Sequence, residues 1–239
     1  MPNPMNVPAG ISTATKGTAL QKYPMPDPTK VYTYFQDFTT YVAADWTITA
    51  IGTGAVAAVA DEPFGAIAAT NSAADNDGLN VQLDEETFTP TSGKKMWFKA
   101  RFKVSDATQS DFMIGLAVLD TTLLGSTAGD GVTDGIFFAK EDGDTNLDFH
   151  VQKDTTTGQK STSAIATVGT SYMTVGFEFD GARYVKVFVD DVHKSTVDLS
   201  STLATYLPDT PLAVSFAILN GEAAAKSMTV DYIFAAIER

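Results

Sequence analysis

The chain has 239 residues, 44% of them hydrophobic and 19% charged, which excludes a disordered chain and suits one sizeable globular domain. Its 29 acidic and 16 basic residues give a net charge of −13, which repels phosphate backbones and excludes a general electrostatic footprint for nucleic acid. Cysteine is absent, excluding disulfides and thiolate metal sites, and no apolar run is long enough for a helix to cross a bilayer.

The first residues, MPNPMNVPAG, lack the basic and apolar regions of a secretory signal, so a protein made and used without export is expected. Residues 1–30 hold Pro2, Pro4, Pro8, Pro24, Pro26 and Pro28 and no sustained apolar period. Proline withholds backbone donors and favours extended chain, so this segment reads as an N-terminal arm. Docked on a neighbouring subunit, it would use Tyr23 and Met25 as apolar anchors; the alternative is an unpacked tail.

Strand signals begin at Val31. VYTYFQDF alternates aromatic and polar positions, and the alternation resumes from Trp46 to Ile51. AVAAVA and GAIAAT are alanine-rich, but their shortness and flanking Gly and Pro favour strands over helices. After the polar loop Asn71–Asp77 comes a strand at Leu79–Leu83, then a connection through Glu85–Gly93. In Met96–Val104, Met96, Phe98, Ala100, Phe102 and Val104 face one way; Trp97, Lys99, Arg101 and Lys103 face the other, as a solvated basic stripe. Asp111–Asp120 is apolar almost throughout, as for a strand covered on both faces. A glycine-rich loop, Thr121–Asp134, leads to a hairpin of Gly135–Ala139 with Leu147–Lys153, and Lys160–Thr167 is a weaker strand. Tyr172–Val197 is a three-stranded meander, turned strongly at Asp180-Gly181 and less strongly at Asp190-Asp191. Asp198–Tyr206 suggests one helical turn, and Leu212–Leu219 and Ser227–Ile237 are closing strands. Short strands at regular spacing with almost no helix predict an all-β protein, a two-sheet antiparallel sandwich or jelly roll spanning residues 31–239.

Chemistry-bearing motifs are sparse. Glu178-Phe-Asp180-Gly-Ala-Arg183 is the nearest approach to the paired carboxylates of a glycosidase, but Arg183 stands where the second glutamate is needed. His150 and His193 lie on strands without a partner pattern, and no serine has a nucleophile-elbow context. Asp142, Asp144 and Asn146, like Asp75 and Asp77, offer hard oxygens at close spacing, so calcium is the alternative to plain turns; no other cofactor is expected. Trp97 and Tyr184, on outward faces, are the candidates for stacking on sugars.

FEFDGARYVKVFVDDVHKSTV and the closing SMTVDYIFAAIER resemble the laminin-G/concanavalin A-like jelly roll. That superfamily includes laminarinase-type glycosidases, whose Glu-x-Asp-x-x-Glu motif is departed from at Arg183, as well as lectins and viral modules. MWFKARFKVSD, FMIGLAVLDTTLL and DYIFAAIER are similar to tailed-bacteriophage virion proteins of the head-decoration type. This second resemblance implies a non-enzymatic protein on the capsid exterior, made in the host cytoplasm. Its partners would be the major capsid protein and its own copies, as a homotrimer, with neither membrane nor nucleic acid. The alternative it leaves is a lectin-like carbohydrate-binding module, itself displayed on a virion or not.

Overall fold

Alternating burial along the strands builds two antiparallel sheets in the computed structural model, which describes residues 26–125, 131–154, 158–199 and 203–239. One sheet has the order β13 (Val192–Asp198), β12 (Tyr184–Val189), β11 (Met173–Phe179), β6 (Met96–Val104), β15 (Ser227–Glu238), β4 (Ile67–Asn71) and β3 (Gly54–Ala58), with β1 (Val31–Gln36) also paired to β15. The other runs β10 (Gly158–Thr167), β9 (Asn146–Lys153), β8 (Gly135–Lys140), β7 (Ser110–Ala117), β14 (Ala213–Asn220), β5 (Gly78–Leu83) and β2 (Trp46–Ile51). Among the described residues, helix is confined to single turns at Ala43–Asp45 and α1 (Leu203–Tyr206), neither long enough to cross a membrane.

The core lies between the sheets. The residues of β6 expected to face inward are all buried there, and the intervening Trp97, Lys99, Arg101 and Lys103 are half-buried. Rings interlock across the gap, Phe102 on Phe112 at 5.2 Å and Phe149 on Phe177 at 5.8 Å between centroids, favourable aromatic spacings. The basic stripe is more engaged than a solvated face. Lys99 pairs with Asp191, Arg101 pairs with Asp231, and both Arg101 and Lys103 lie over the Tyr172 ring.

β7 is buried on both faces, as its composition predicts. Phe112, Ile114 and Leu116 enter the sandwich. Met113 and Ala117 face outward into a second apolar cluster, with Phe137, Ala139, Ala217 and Leu219, beneath Leu123, Leu124 and Val132 of the β7–β8 connection. Polar groups on this face bond to the same connection: Asn80 donates to the Thr121 carbonyl, Gln82 to that of Val118 and Gln152 to that of Val132.

β15 divides its sheet. One edge pairs with β6; the other is shared, Ser227–Val230 with β4 and Ile233–Glu238 with β1. The register with β6 shifts between Val230 and Tyr232, a bulge at the point where β1 and β4 part.

Several local expectations shift. The strand expected over Asp111–Asp120 ends at Ala117, and the helical turn expected over Asp198–Tyr206 shortens to α1, because Asp198 still pairs with Tyr184 in β13. The weaker turn signal is the tighter turn. Asp190 and Asp191 both take positive φ, 49° and 61°, and join Val189 directly to Val192. The Asp180-Gly181 turn is wider, and its Asp180 carboxylate accepts the N–H groups of Ala182, Arg183 and Tyr184. Tyr23 and Met25 of the expected arm lie outside the described residues. The end of that arm is held to the end of the chain: Arg239 donates its backbone N–H to the Lys30 carbonyl and its Nε–H to that of Pro28.

Candidate functional site

A trough forms where β1 lies beside the β5–β6 connection. Period-two geometry turns Tyr32, Tyr34 and Gln36 to one side of β1. In the connection, Thr87, Thr89 and Thr91 alternate with buried Phe88 and Pro90. Phe88 fixes the phase of that alternation: it exchanges both backbone hydrogen bonds with Leu212 at 3.0 and 2.8 Å, and its ring packs 5.4 Å from that of Tyr32. With Phe88 held in the core, the threonines on either side face outward.

Three depressions follow this connection and share walls. The first, about 390 Å³, lies between Tyr32, Tyr34, Gln36 and Thr87 and the carboxylates of Asp45, Asp84 and Glu85. The second, about 460 Å³, shares Tyr32 and Thr87 and adds Thr89, Thr91, Lys94, Glu238 and Arg239. The third, about 540 Å³, shares Thr89 and Thr91 and is walled by Pro90, Leu203, Leu207 and Pro208. Lys153 secures this third wall, donating to the Ala204 carbonyl and pairing with Asp209 at 2.6 Å. Each depression is of small-ligand size.

The two tyrosines differ. Arg239 lies over the Tyr32 ring at 5.6 Å, so that ring already carries a cation. Tyr34 sits against the acidic end. Burial first, then the Asp45 charge, push its phenol above the ordinary tyrosine range, leaving it a protonated donor. A phenol face and hydroxyl donor beside carboxylates, an amide and threonine hydroxyls suit a polyhydroxylated ring. Its C–H face can lie on the aromatic ring while its hydroxyls bond to the polar groups.

The residues singled out in sequence lie elsewhere. Trp97 is half-buried on the outer face of the eight-stranded sheet, opposite Glu178, and Tyr184 is two strands away on β12 with β11 between them. The Arg183 guanidinium lies 4.8 Å over the Tyr184 ring while making a two-pronged contact with Asp198. Glu178 faces Lys186 across the strands, and Asp180 caps its turn. Asp142, Asp144 and Asn146 are exposed at the β8–β9 turn, where Asn146 donates both its backbone and side-chain N–H groups to Asp144. The neighbouring carbonyls of Ala107, Thr108 and Asp144 accept from the Lys140 ammonium, and no group of three or more His, Asp or Glu side chains gathers as a metal centre among the described residues. His150 is stacked on Phe137, and exposed His193 lies against Thr196.

No family model matches the sequence, and no curated protein matches it either. Solved structures do resemble the fold. The endo-1,3-beta-glucanase of Streptomyces sioyaensis is 15% identical, with a TM-score of 0.61 over 90% of this chain and 98% of its own. A mixed-linkage glucan GH16 protein of Bacteroides ovatus, solved with a G4G4G3G product, is 13% identical, with a TM-score of 0.57 over 84% and 98%. The carbohydrate recognition domain of Emp47p is 14% identical, with a TM-score of 0.57 over 89% and 98%. The fold is a concanavalin A-like jelly roll. At these identities the likeness establishes the fold alone.

These structures correct one expectation. The chain was expected not to be an enzyme, yet the sandwich it shares is that of an endo-glucanase and a GH16 protein as well as of a recognition domain, so the architecture gives no ground for excluding catalysis. The virion and capsid expectation draws no support from these relatives, which act on or recognise glycans.

Proposed function

We propose that this jelly roll recognises a glycan chain, held along the trough between β1 and the β5–β6 connection. The observation that carries the reading is the acidic end of that trough, where Tyr34 stands beside Gln36, Asp45, Asp84 and Glu85 in one depression. The glucan-acting and carbohydrate-recognising proteins that share the fold support the ligand class. Glucans of β-1,3 and mixed linkage are the first ligands to try, because the solved relatives carry those names.

The test is calorimetric titration with gluco-oligosaccharides of both linkages. Tyr34→Ala is expected to weaken binding about tenfold or more, the loss of one stacking contact and one donor. Trp97→Ala and Tyr184→Ala are expected to leave it unchanged. Loss of binding in Trp97→Ala with Tyr34→Ala unaffected would move the site to the outer face of the eight-stranded sheet. Reducing-end release in the same samples distinguishes a protein that holds the chain from one that also cuts it.

A further inference from the structure

β3 is the outermost strand of the eight-stranded sheet, paired on one side with β4 and on the other with nothing among the described residues. The register fixes which groups point away. Ser72 donates to the Thr53 carbonyl and Val59 to that of Ala66, so Ala55 and Ala57 between them turn their N–H and C=O groups to β4, while the Thr53 N–H goes to Asp77. The N–H and C=O groups of Gly54, Val56 and Ala58 therefore point outward from the sheet edge.

Among the described residues, nothing along this edge guards it. Natural edge strands are blunted by charged residues, proline or a covering element. β3 contains none of these, and its flanking Thr53, Val59 and Ala60 are uncharged too. On the opposite side of the sandwich the edges β10 and β13 lie against each other and carry Lys160, His193 and Lys194. The edge of β2 begins at Asp45 and Asp84, within the acidic end of the trough. Among the described residues, the β3 edge carries neither a charge nor a pairing strand.

We infer that β3 pairs edge to edge with β3 of a second copy of this chain, antiparallel about a two-fold axis at Val56. The occupant follows from the strand's symmetry. About Val56, Gly54 of each copy faces Ala58 of the other and Ala55 faces Ala57. Apart from Val56, which meets its own counterpart on the axis, every facing pair is Gly or Ala, so the backbones approach to strand spacing without a side-chain clash. The outward N–H groups of Gly54, Val56 and Ala58 then each find a carbonyl on the other copy, and a closed two-fold contact leaves no further edge to propagate. The inference is independent of the glycan reading.

Light scattering on the full chain across a concentration series tests it. The expected mass rises to twice the 25.4 kDa of one chain. Ala55→Lys with Ala57→Lys, at exposed positions, places lysines opposite lysines and is expected to hold the protein at one chain's mass. Val56→Pro removes an outward N–H while leaving the β4 ladder intact, with the same expected result. Amide exchange on the unaltered chain is a check that needs no variant: protection at Gly54, Val56 and Ala58 should rise with protein concentration. A mass of one chain at every concentration, a trimer, or a dimer retained in both variants would overturn the proposal.

Discussion

Asp111 and His150 are two enclosed ionisable groups on the seven-stranded sheet, and they respond to pH in opposite senses. Burial, reinforced by the charge of Asp142, pushes the Asp111 carboxyl up to about 6, against an ordinary value of 3.8. Burial against Phe137 lowers the His150 imidazole to about 4, against 6.5. The folded chain thus holds a proton on Asp111 more tightly than the unfolded chain does, and stability from this group falls as pH rises from about 4 to 6. His150 holds its proton less tightly when folded, so its contribution falls as pH drops from about 6.5 to 4. Each shift corresponds to at most about 3 kcal/mol, and between pH 4 and 6 the two largely offset one another. Asp111→Asn, which keeps an acceptor for the Asp142 N–H, should leave His150 unopposed, so that stability climbs with pH across that window more steeply than in the unaltered chain. His150→Gln should show the reverse, a decline over the same window. Urea denaturation at half-unit pH intervals checks both, and slopes unchanged from the parent would refute the assignment.

At the scale of an element, Lys140 shows what the strand pattern conceals. The strand expected over Gly135–Ala139 extends to Lys140. In the fold Lys140 is 1% exposed, and its ammonium donates to the carbonyls of Ala107, Thr108 and Asp144. It ties the β6–β7 connection to the β8–β9 turn, a non-local bond that period two does not encode. Lys140→Met should cost about 1–3 kcal/mol by removing the ammonium bonds to those carbonyls, of which that of Thr108 keeps the Gly143 N–H, and is read as a lower urea midpoint. A strand with one face inward, β6, was legible to the residue; β7 was legible as a strand covered on both faces, though expected to run on to Asp120. The trough was legible only in pieces. Tyr32 and Tyr34 share a face by alternation, and Thr-Phe-Thr-Pro-Thr alternates too, but nothing local says that the two runs meet. Their meeting depends on β1 pairing with β15 at the far end of the chain and on Phe88 bonding to Leu212. Trp97 and Tyr184 drew attention as outward aromatics, which period two does reveal; whether such a ring lines a depression it does not.

For the whole molecule, the trough and the β3 edge lie on different parts of the surface, and together they would give a pair of glycan sites on a two-fold assembly. A polysaccharide spanning both would be held more tightly than an oligosaccharide filling one, so the ratio of the two affinities should collapse in the Ala55→Lys, Ala57→Lys variant. An unchanged ratio in a variant shown to be a single chain would mean that pairing adds nothing to binding.

The position of the last two strands has a consequence for assembly. β14 lies between β5 and β7, and β15 between β6 and the pair β4 and β1, so each is inserted into the middle of its sheet although each follows all the other strands of that sheet in the chain. Before they arrive, β1–β5 and β6–β13 share no ladder with one another. Synthesis therefore delivers separate parts of each sheet and then the two strands, one per sheet, that join them, and the sandwich can close only after translation has passed Glu238. A chain interrupted after Pro211 should remain open, and residues 212–239 supplied as a separate peptide should restore it, the behaviour of a protein that can be split and reconstituted at a defined seam.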